Sequence, residues 1–337
     1  MRSGRHSFAR SLARKCAAIF LFAVVLILAA GDWFVHHPRE WLEKREREWP
    51  RWIVVTLEWT GNPTGDITDA LGLTGTDVVT EATDAAPANS VLFAGVPIRR
   101  HAPAPDDITV LDRGEFLVGW SPKLRHAAWC AYHVPAGQRY RIETRPPFRK
   151  DKNASRSPVS TDYARTGYDR GHMVPNFAMA SRFGTNVQAR TFLLSNVVPQ
   201  SPALNRGVWR DVEHRISESW TARYGEIWVI VGALDDSHET LSGSDISVPS
   251  RLWQVVVAQK NREVRALAVL VEQQVPWRAW PTRYIVSIDE LEALTGFDFL
   301  AGLPDGMETA LESRRPTRLW PVNFLDAFRQ IANRSAR

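Results

Sequence analysis

The feature that most constrains this fold is a set of apolar, β-branched or aromatic runs, each bounded by turn residues, spread from residue 115 to 271. The runs are Glu115 to Val118, Ala127 to Val134, Arg139 to Glu143, Ile227 to Val231, Leu252 to Ala258 and Val264 to Val271, and each reads as a strand. Helical patterns fall among them at Asn186 to Leu193, Asn205 to Tyr224 and Ile288 to Thr295. The last opens on Ser287-Ile288-Asp289-Glu290, a capping-box pattern. Strands mixed with helices, without regular alternation, predict an α+β domain. With 337 residues, 44% apolar and 23% charged, one sizeable core is readily buried.

The folded domain is expected over 91–303. Before it, 36–90 holds a helical, Trp-rich stretch with Trp41, Trp49, Trp52 and Trp59. A linker rich in Thr, Asp, Gly, Ala and Pro follows from Asn62 to Asn89. After it, 304–337 reads as a tail, a loosely packed helix with little function. Residues 1–35 have a different character. Arg2, Arg5, Arg10, Arg14 and Lys15 precede an uncharged apolar run from Cys16 to Ala30. A basic flank before an apolar run orients the chain with its N-terminus inside and the remainder translocated. The run fits a cleaved export signal, with Ala29-Ala30-Gly31 as small residues for cleavage. It also fits an uncleaved hydrophobic helix acting as a membrane anchor, which Trp33 and Phe34 at the interface favour. Either way the protein is expected outside the cytoplasm, facing the periplasm or secreted.

The formal net charge of +5 favours anionic partners, nucleic acid or acidic lipid, and part of it lies in the N-terminal flank. Between Arg139 and Arg170 there are nine Lys or Arg against four acids, which suits a phosphate backbone. No base-reading motif accompanies them. The two cysteines, Cys16 and Cys130, sit in apolar runs and form no Cys-x-x-Cys spacing. Cys130 reads as a small buried hydrophobe. Most of the fourteen Trp read as core, and His126, His133, His214 and His238 as surface or core residues rather than ligands.

The chemistry concentrates in Asp169-Arg170-Gly171-His172. His takes or gives a proton near neutral pH. Arg presents a planar fork to phosphate oxygens. Gly lets the backbone turn or approach closely, and Asp169 supports the turn or pairs with Arg170. Alone, the run could equally be a salt-bridged surface turn. Downstream stand Leu194-Ser195-Asn196, then Pro199-Gln200, then Asn205-Arg206-Gly207-Val208-Trp209-Arg210-Asp211-Val212-Glu213. Asn205 and Glu213 are eight residues apart, about 12 Å along a helix. A hydrated Mg2+ keeps most of its waters and takes few protein ligands, so Asn205 could bind it directly while Glu213 holds its water shell. Singly, Asn205 reads as a helix N-cap and Glu213 as an exposed carboxylate. Together with His172 at this spacing, the metal reading prevails.

These three motifs in this order resemble the DNA/RNA non-specific endonucleases, the endonuclease G and Serratia nuclease type within the ββα-metal (His-Me finger) superfamily. The resemblance runs from roughly Gly114 to Phe299. It includes Trp129 to Val134, Val248 to Val256, and Ile288 to Glu292 before Thr295-Gly296-Phe297-Asp298-Phe299. It implies a central, mainly antiparallel sheet flanked by helices. It also implies hydrolysis of phosphodiester bonds in DNA and possibly RNA without sequence preference, leaving 5′-phosphates. His172 would be the general base, Asn196 would orient it, and Asn205 would ligate one Mg2+, with Mn2+ as substitute. Glu213 would bind the ion's waters. Arg170, and Arg145 by a less secure match, would contact phosphate. Many relatives carry an Arg one turn after the glutamate where this chain has Ser217, and Arg206 or Arg210 would supply that contact. The competing reading is an inactive, membrane-anchored nucleic-acid receptor. A serine or zinc hydrolase finds no Gly-x-Ser-x-Gly or His-Glu-x-x-His.

Overall fold

The computed structural model describes residues 80–81 and 90–320 apart from 138, 143, 278 and 280. The expected N-terminal hydrophobic helix, the Trp-rich stretch and most of the linker lie outside them. Among the described residues no helix is long and apolar enough to cross a membrane.

The main sheet contains β1 (Thr80–Glu81), β3 (Thr109–Asp112), β4 (Phe116–Ser121), β5 (His126–Val134), β8 (Glu226–Leu234), β9 (Arg251–Lys260), β10 (Glu263–Glu272) and β11 (Ile285–Val286). Its order is β1-β10-β9-β8-β5-β4-β3, with β11 also on β10. Every pairing is antiparallel. The expected central antiparallel sheet is therefore present. Its long central strands are buried along nearly their whole length, which is why they read as continuous apolar runs and not as an alternation. Two glycines make room for tryptophans across the ladder. A Cβ on Gly119 would lie 2.3 Å from the Trp129 ring, and one on Gly232 would lie 2.0 Å from the Trp253 ring.

Side chains alternate between the two faces. On one face Ala131, Ile230, Val255 and Ala268 join a core that includes Trp228, Trp253, Phe297 and Phe299. That core is closed by α4 (Ile288–Thr295), the short strand β12 (Phe297–Asp298), which pairs with β2 (Ile98–Arg99), and α5 (Asp305–Glu312). The capping box expected for α4 forms, with Ser287 Oγ accepting from Glu290 N at 3.1 Å and Glu290 accepting from Ser287 N at 2.8 Å. On the other face Cys130 and Tyr132 meet the catalytic layer described below.

Two expectations change. Arg139 to Glu143 is not a strand among its described residues. Arg139, Tyr140 and Arg141 are exposed, and the amides of Arg139 and Tyr140 both donate to the Ser181 carbonyl, at 2.9 and 3.1 Å. With no partner strand beside them and Pro146-Pro147 ahead, nothing fixes a ladder there. From Pro304 to Trp320, the described part of the expected tail, the chain is not loosely packed. Leu311 and Glu312 of α5 are buried, and Trp320 is 2% exposed against Trp220 and Tyr224.

Candidate active site

The site is built from a two-stranded hairpin and the helix that follows it. Strand β6 (Asp169–His172) pairs antiparallel with β7 (Val197–Gln200), His172 opposite Val197 and Asp169 opposite Gln200. Between them lie α1 (Asn176–Phe183) and α2 (Thr185–Thr191). After β7 comes α3 (204–224), expected as one regular helix. It is helical throughout except at Gly207, where φ −105° and ψ −115° kink it. Leu204–Val208 and Arg215–Trp220 are wound in wide π-type turns, the first just where Asn205 sits. Sequence periodicity does not register such turns. Gly171 is required for a reason other than the one expected: a Cβ there would lie 2.1 Å from Gln200 Cδ, so the glycine admits the buried Gln200 side chain across the hairpin.

His172 is clasped by two phenylalanines, Phe148 at 5.1 Å and Phe192 at 4.7 Å between ring centroids. Its Nε2 is buried without a hydrogen-bond partner. Burial first, and the Arg145 charge second, pull the imidazole down to about 3, so the ring is neutral at any ordinary pH. Glu213 is recessed on α3. Burial pushes its carboxyl up to about 8, while Arg145, Arg210 and the Trp209 side chain act the other way. The Arg145 charge thus bears on both His172 and Glu213. Its own side chain is exposed.

Asn205 donates from Nδ2 to Asp169 Oδ2 at 2.9 Å, which leaves its amide oxygen for a ligand. Asp169 also receives both arms of Arg206, Nε at 2.7 Å and Nη2 at 2.5 Å. Burial raises the Asp169 pKa, but the hydrogen bonds from Arg206 and Asn205 and the charges of Arg206 and Arg170 outweigh it and hold the carboxyl below its usual range. The guanidinium of Arg206, expected on phosphate, pairs with Asp169 here while its side chain stays 58% exposed. Asp169 is a support, as expected, but its partners are Arg206 and Asn205 rather than Arg170. Arg170 is exposed, lies over the Phe148 ring at 4.7 Å, and donates to Ser160 Oγ. Arg210 lies close enough to Glu213 to lower its pKa.

Asn196 does not bond the His172 ring. Its Nδ2 donates to the carbonyls of Val174 and Thr191 at 3.1 and 3.0 Å, and its Oδ1 accepts from Val174 N at 2.9 Å. It clamps the backbone just after His172, and the buried Cys130 thiol approaches its Oδ1 at 3.7 Å. Next to it, Ser195 Oγ and the Arg113 guanidinium both donate to the buried Asp151, an anchoring network no local pattern announced. Phe148, Phe192 and Trp209 were missed as well, because aromatic residues in apolar runs look like any other core. Ser217 Oγ donates to the Glu213 carbonyl at 2.8 Å, so it plays no part of a missing arginine.

The family model described as DNA/RNA non-specific endonuclease matches residues 97–306. The chain belongs to this family. Membership makes it an endonuclease by class. It is 29% identical to a nuclease of Nostoc sp. over 226 residues, 62% of this chain and 79% of the relative. It is 31% identical to the human mitochondrial nuclease EXOG over 174 residues, 46% of each chain. A nuclease of Serratia marcescens is 29% identical over 202 residues, 56% of this chain and 74% of the relative. The chain spans about half the length of the EXOG relatives it matches. A solved EndoG/EndoGI complex shares the fold, with a TM-score of 0.54 at 20% identity, over 66% of this chain and 94% of the other.

Proposed function

We propose that this family member hydrolyses internal phosphodiester bonds of DNA and RNA without reading base sequence, with His172 as general base and a Mg2+ held by Asn205 and, through its waters, by Glu213. The observation that carries the reading is the shared influence of Arg145 on a neutral imidazole and a recessed carboxyl. The donor set fits a hard cation: an amide oxygen at Asn205, the Glu213 carboxyl, and Asp169 one hydrogen bond behind Asn205. A carboxyl raised to about 8 by burial gains its charged form most readily when a cation is beside it. When bound, the ion supplies positive charge to the crowded phosphate and the leaving oxygen.

The side chains supply the remainder. With Nε2 sealed, proton transfer falls to Nδ1 of His172, which takes a proton from the attacking water. Arg145 and Arg170 hold phosphate oxygens. A phosphate seated between Arg145 and His172 offsets the charge that depresses the imidazole, so the base strengthens as substrate arrives. Arg170 is kept in place by Phe148 and Ser160. Mn2+ would substitute for Mg2+. Export, with the N-terminal segment as signal or membrane anchor, rests on the sequence pattern of residues 2–34.

The test is digestion of plasmid DNA and of RNA by the full chain with Mg2+, Mn2+ or EDTA, beside His172→Ala. His172→Ala is expected to lose about 1,000-fold in rate at an unchanged melting temperature. A variant that digests plasmid at the parent rate ends the proposal.

A further inference from the structure

On the sheet face away from the hairpin, α4 and α5 bring together carboxylates that the nuclease chemistry does not use. Asp289, Glu292 and Glu312 each offer an oxygen, and these oxygens all lie within 4.8 Å of one another. Crowded acids on a surface need no explanation, but these are not all on a surface. Glu312 is 5% exposed, and its Oε1 is buried with no hydrogen-bond partner. Asp298, on β12 beside them, also has a buried Oδ1 without a partner, while its Oδ2 is held by Arg100. A buried carboxylate oxygen facing other carboxylates and no donor is a costly arrangement unless something positive completes it.

We propose that Asp289, Glu292 and Glu312 form a second cation site, specific for a hard divalent ion and suited to Ca2+, that ties α4 to α5. The donor set is all carboxylate oxygen, the preference of Ca2+ over softer metals. Three carboxylates from two helices suit its flexible, high coordination better than the strict octahedron of Mg2+. The neighbouring cations are already engaged: Arg100 pairs with Asp298, and Arg315 approaches Glu290 at 3.6 Å. The electrostatics agree. Burial, then the neighbouring acids, push Glu292 up to about 7 and Glu312 up to about 8, against hydrogen bonds from the backbone of Phe299 and Leu300. Each folded-state value lies above the ordinary carboxyl value, so the ion-free protein keeps their stability at low pH and loses it as pH rises through about 7 to 8. A bound cation removes that loss. The site lies on the apolar core of Ile288, Leu291, Phe299 and Leu311, so its occupancy reads out as stability and not as catalysis.

The experiment uses the full chain stripped with chelator at pH 8, with Ca2+ alone as probe. Bound Ca2+ is counted by equilibrium dialysis, and melting is followed with and without it. The parent and Asn205→Ala, which disables the hairpin site, are both expected to gain about 5 °C at Ca2+ a hundredfold above its Kd. Asp289→Asn and Glu312→Gln are expected to lose that gain and one bound Ca2+, and Asp289→Asn to keep its plasmid cleavage at saturating Mg2+. If Glu312→Gln fails to fold, the exposed Asp289→Asn decides. A Ca2+ gain surviving in Asp289→Asn, or no bound Ca2+ beyond what Asn205→Ala removes, overturns the proposal. The latter result would mean that a shared proton, not a cation, quiets these acids. It would leave the nuclease reading untouched.

Discussion

The same five central strands present two faces, and the faces are finished in opposite ways. Toward α4, β12 and α5 the sheet offers Trp228, Trp253, Val255 and Ala268, met by Phe297, Phe299 and Leu291. Trp253 and Phe299 stand 4.9 Å apart between ring centroids, and a buried Phe alone contributes about 3 kcal/mol. That side is packed mainly with apolar side chains, although the Trp253 indole N–H and the His133 Nε2 on the strands, and one oxygen each of Glu312 and Asp298 in the layer over them, are buried without hydrogen-bond partners. Toward the hairpin the Tyr132 hydroxyl and the Gln254 amide on the strands are buried without partners. So are the Gln200 amide and the His172 Nε2 on the hairpin. Unsatisfied polar groups cost stability, and on the hairpin side they lie where reaction chemistry needs polar groups held ready. The difference teaches that one face holds the molecule together so that the other can carry an uncompensated site.

Glycine substitutions separate the faces most sharply. Gly232→Ala drives a methyl into the Trp253 ring and is expected to cost about 3 kcal/mol, seen as a lower denaturant midpoint, while the folded fraction keeps the parent turnover. Gly171→Ala pushes on Gln200 instead. It is expected to lower the cleavage rate about 100-fold, with a smaller stability loss. Equal turnover losses in the two variants would erase the distinction.

The pH dependence sharpens it next. Glu213 in the ion-free protein is protonated below about 8, and Mg2+ binding must displace that proton. Half-saturating Mg2+ is therefore expected to fall about fivefold from pH 7 to pH 8. Glu213→Gln is expected to flatten this slope, and a flat profile in the parent would remove Glu213 from the ion. Arg145→Ala tests the imidazole itself. The His172 imidazole, followed by NMR titration, is expected to rise above about 3 as the adjacent charge goes. The cleavage rate should drop about tenfold. An unmoved imidazole would mean that the phenylalanines alone set its value.

Local patterns revealed whatever local physics decides. The Ser287 capping box, the long strands and the helices at α3 and α4 were legible, because capping and burial leave periodic marks, whereas the short strands β6 and β7 were not read as strands. The Arg139 to Glu143 stretch misled because β-like composition says nothing of a partner strand. The pairing of Arg206 with Asp169, 37 positions away in the chain, left no local mark. Asn196, expected to orient the His172 ring, grips the backbone after it instead. The Glu312 cluster joins residues from two helices, and no window of sequence contains both.

The ring of Trp320 against Trp220, 5.1 Å between centroids, and the Trp220 indole N–H donating to the Trp320 carbonyl at 3.0 Å, bear on how the molecule is handled as a portable unit. The family match ends at 306, whereas described packing continues to Trp320, fourteen positions later, on the helix that carries Asn205 and Glu213. A fusion or truncation drawn at the family limit would strip the cover from Trp220 and leave a sticky aromatic face at the back of that helix. Joining points belong beyond Trp320.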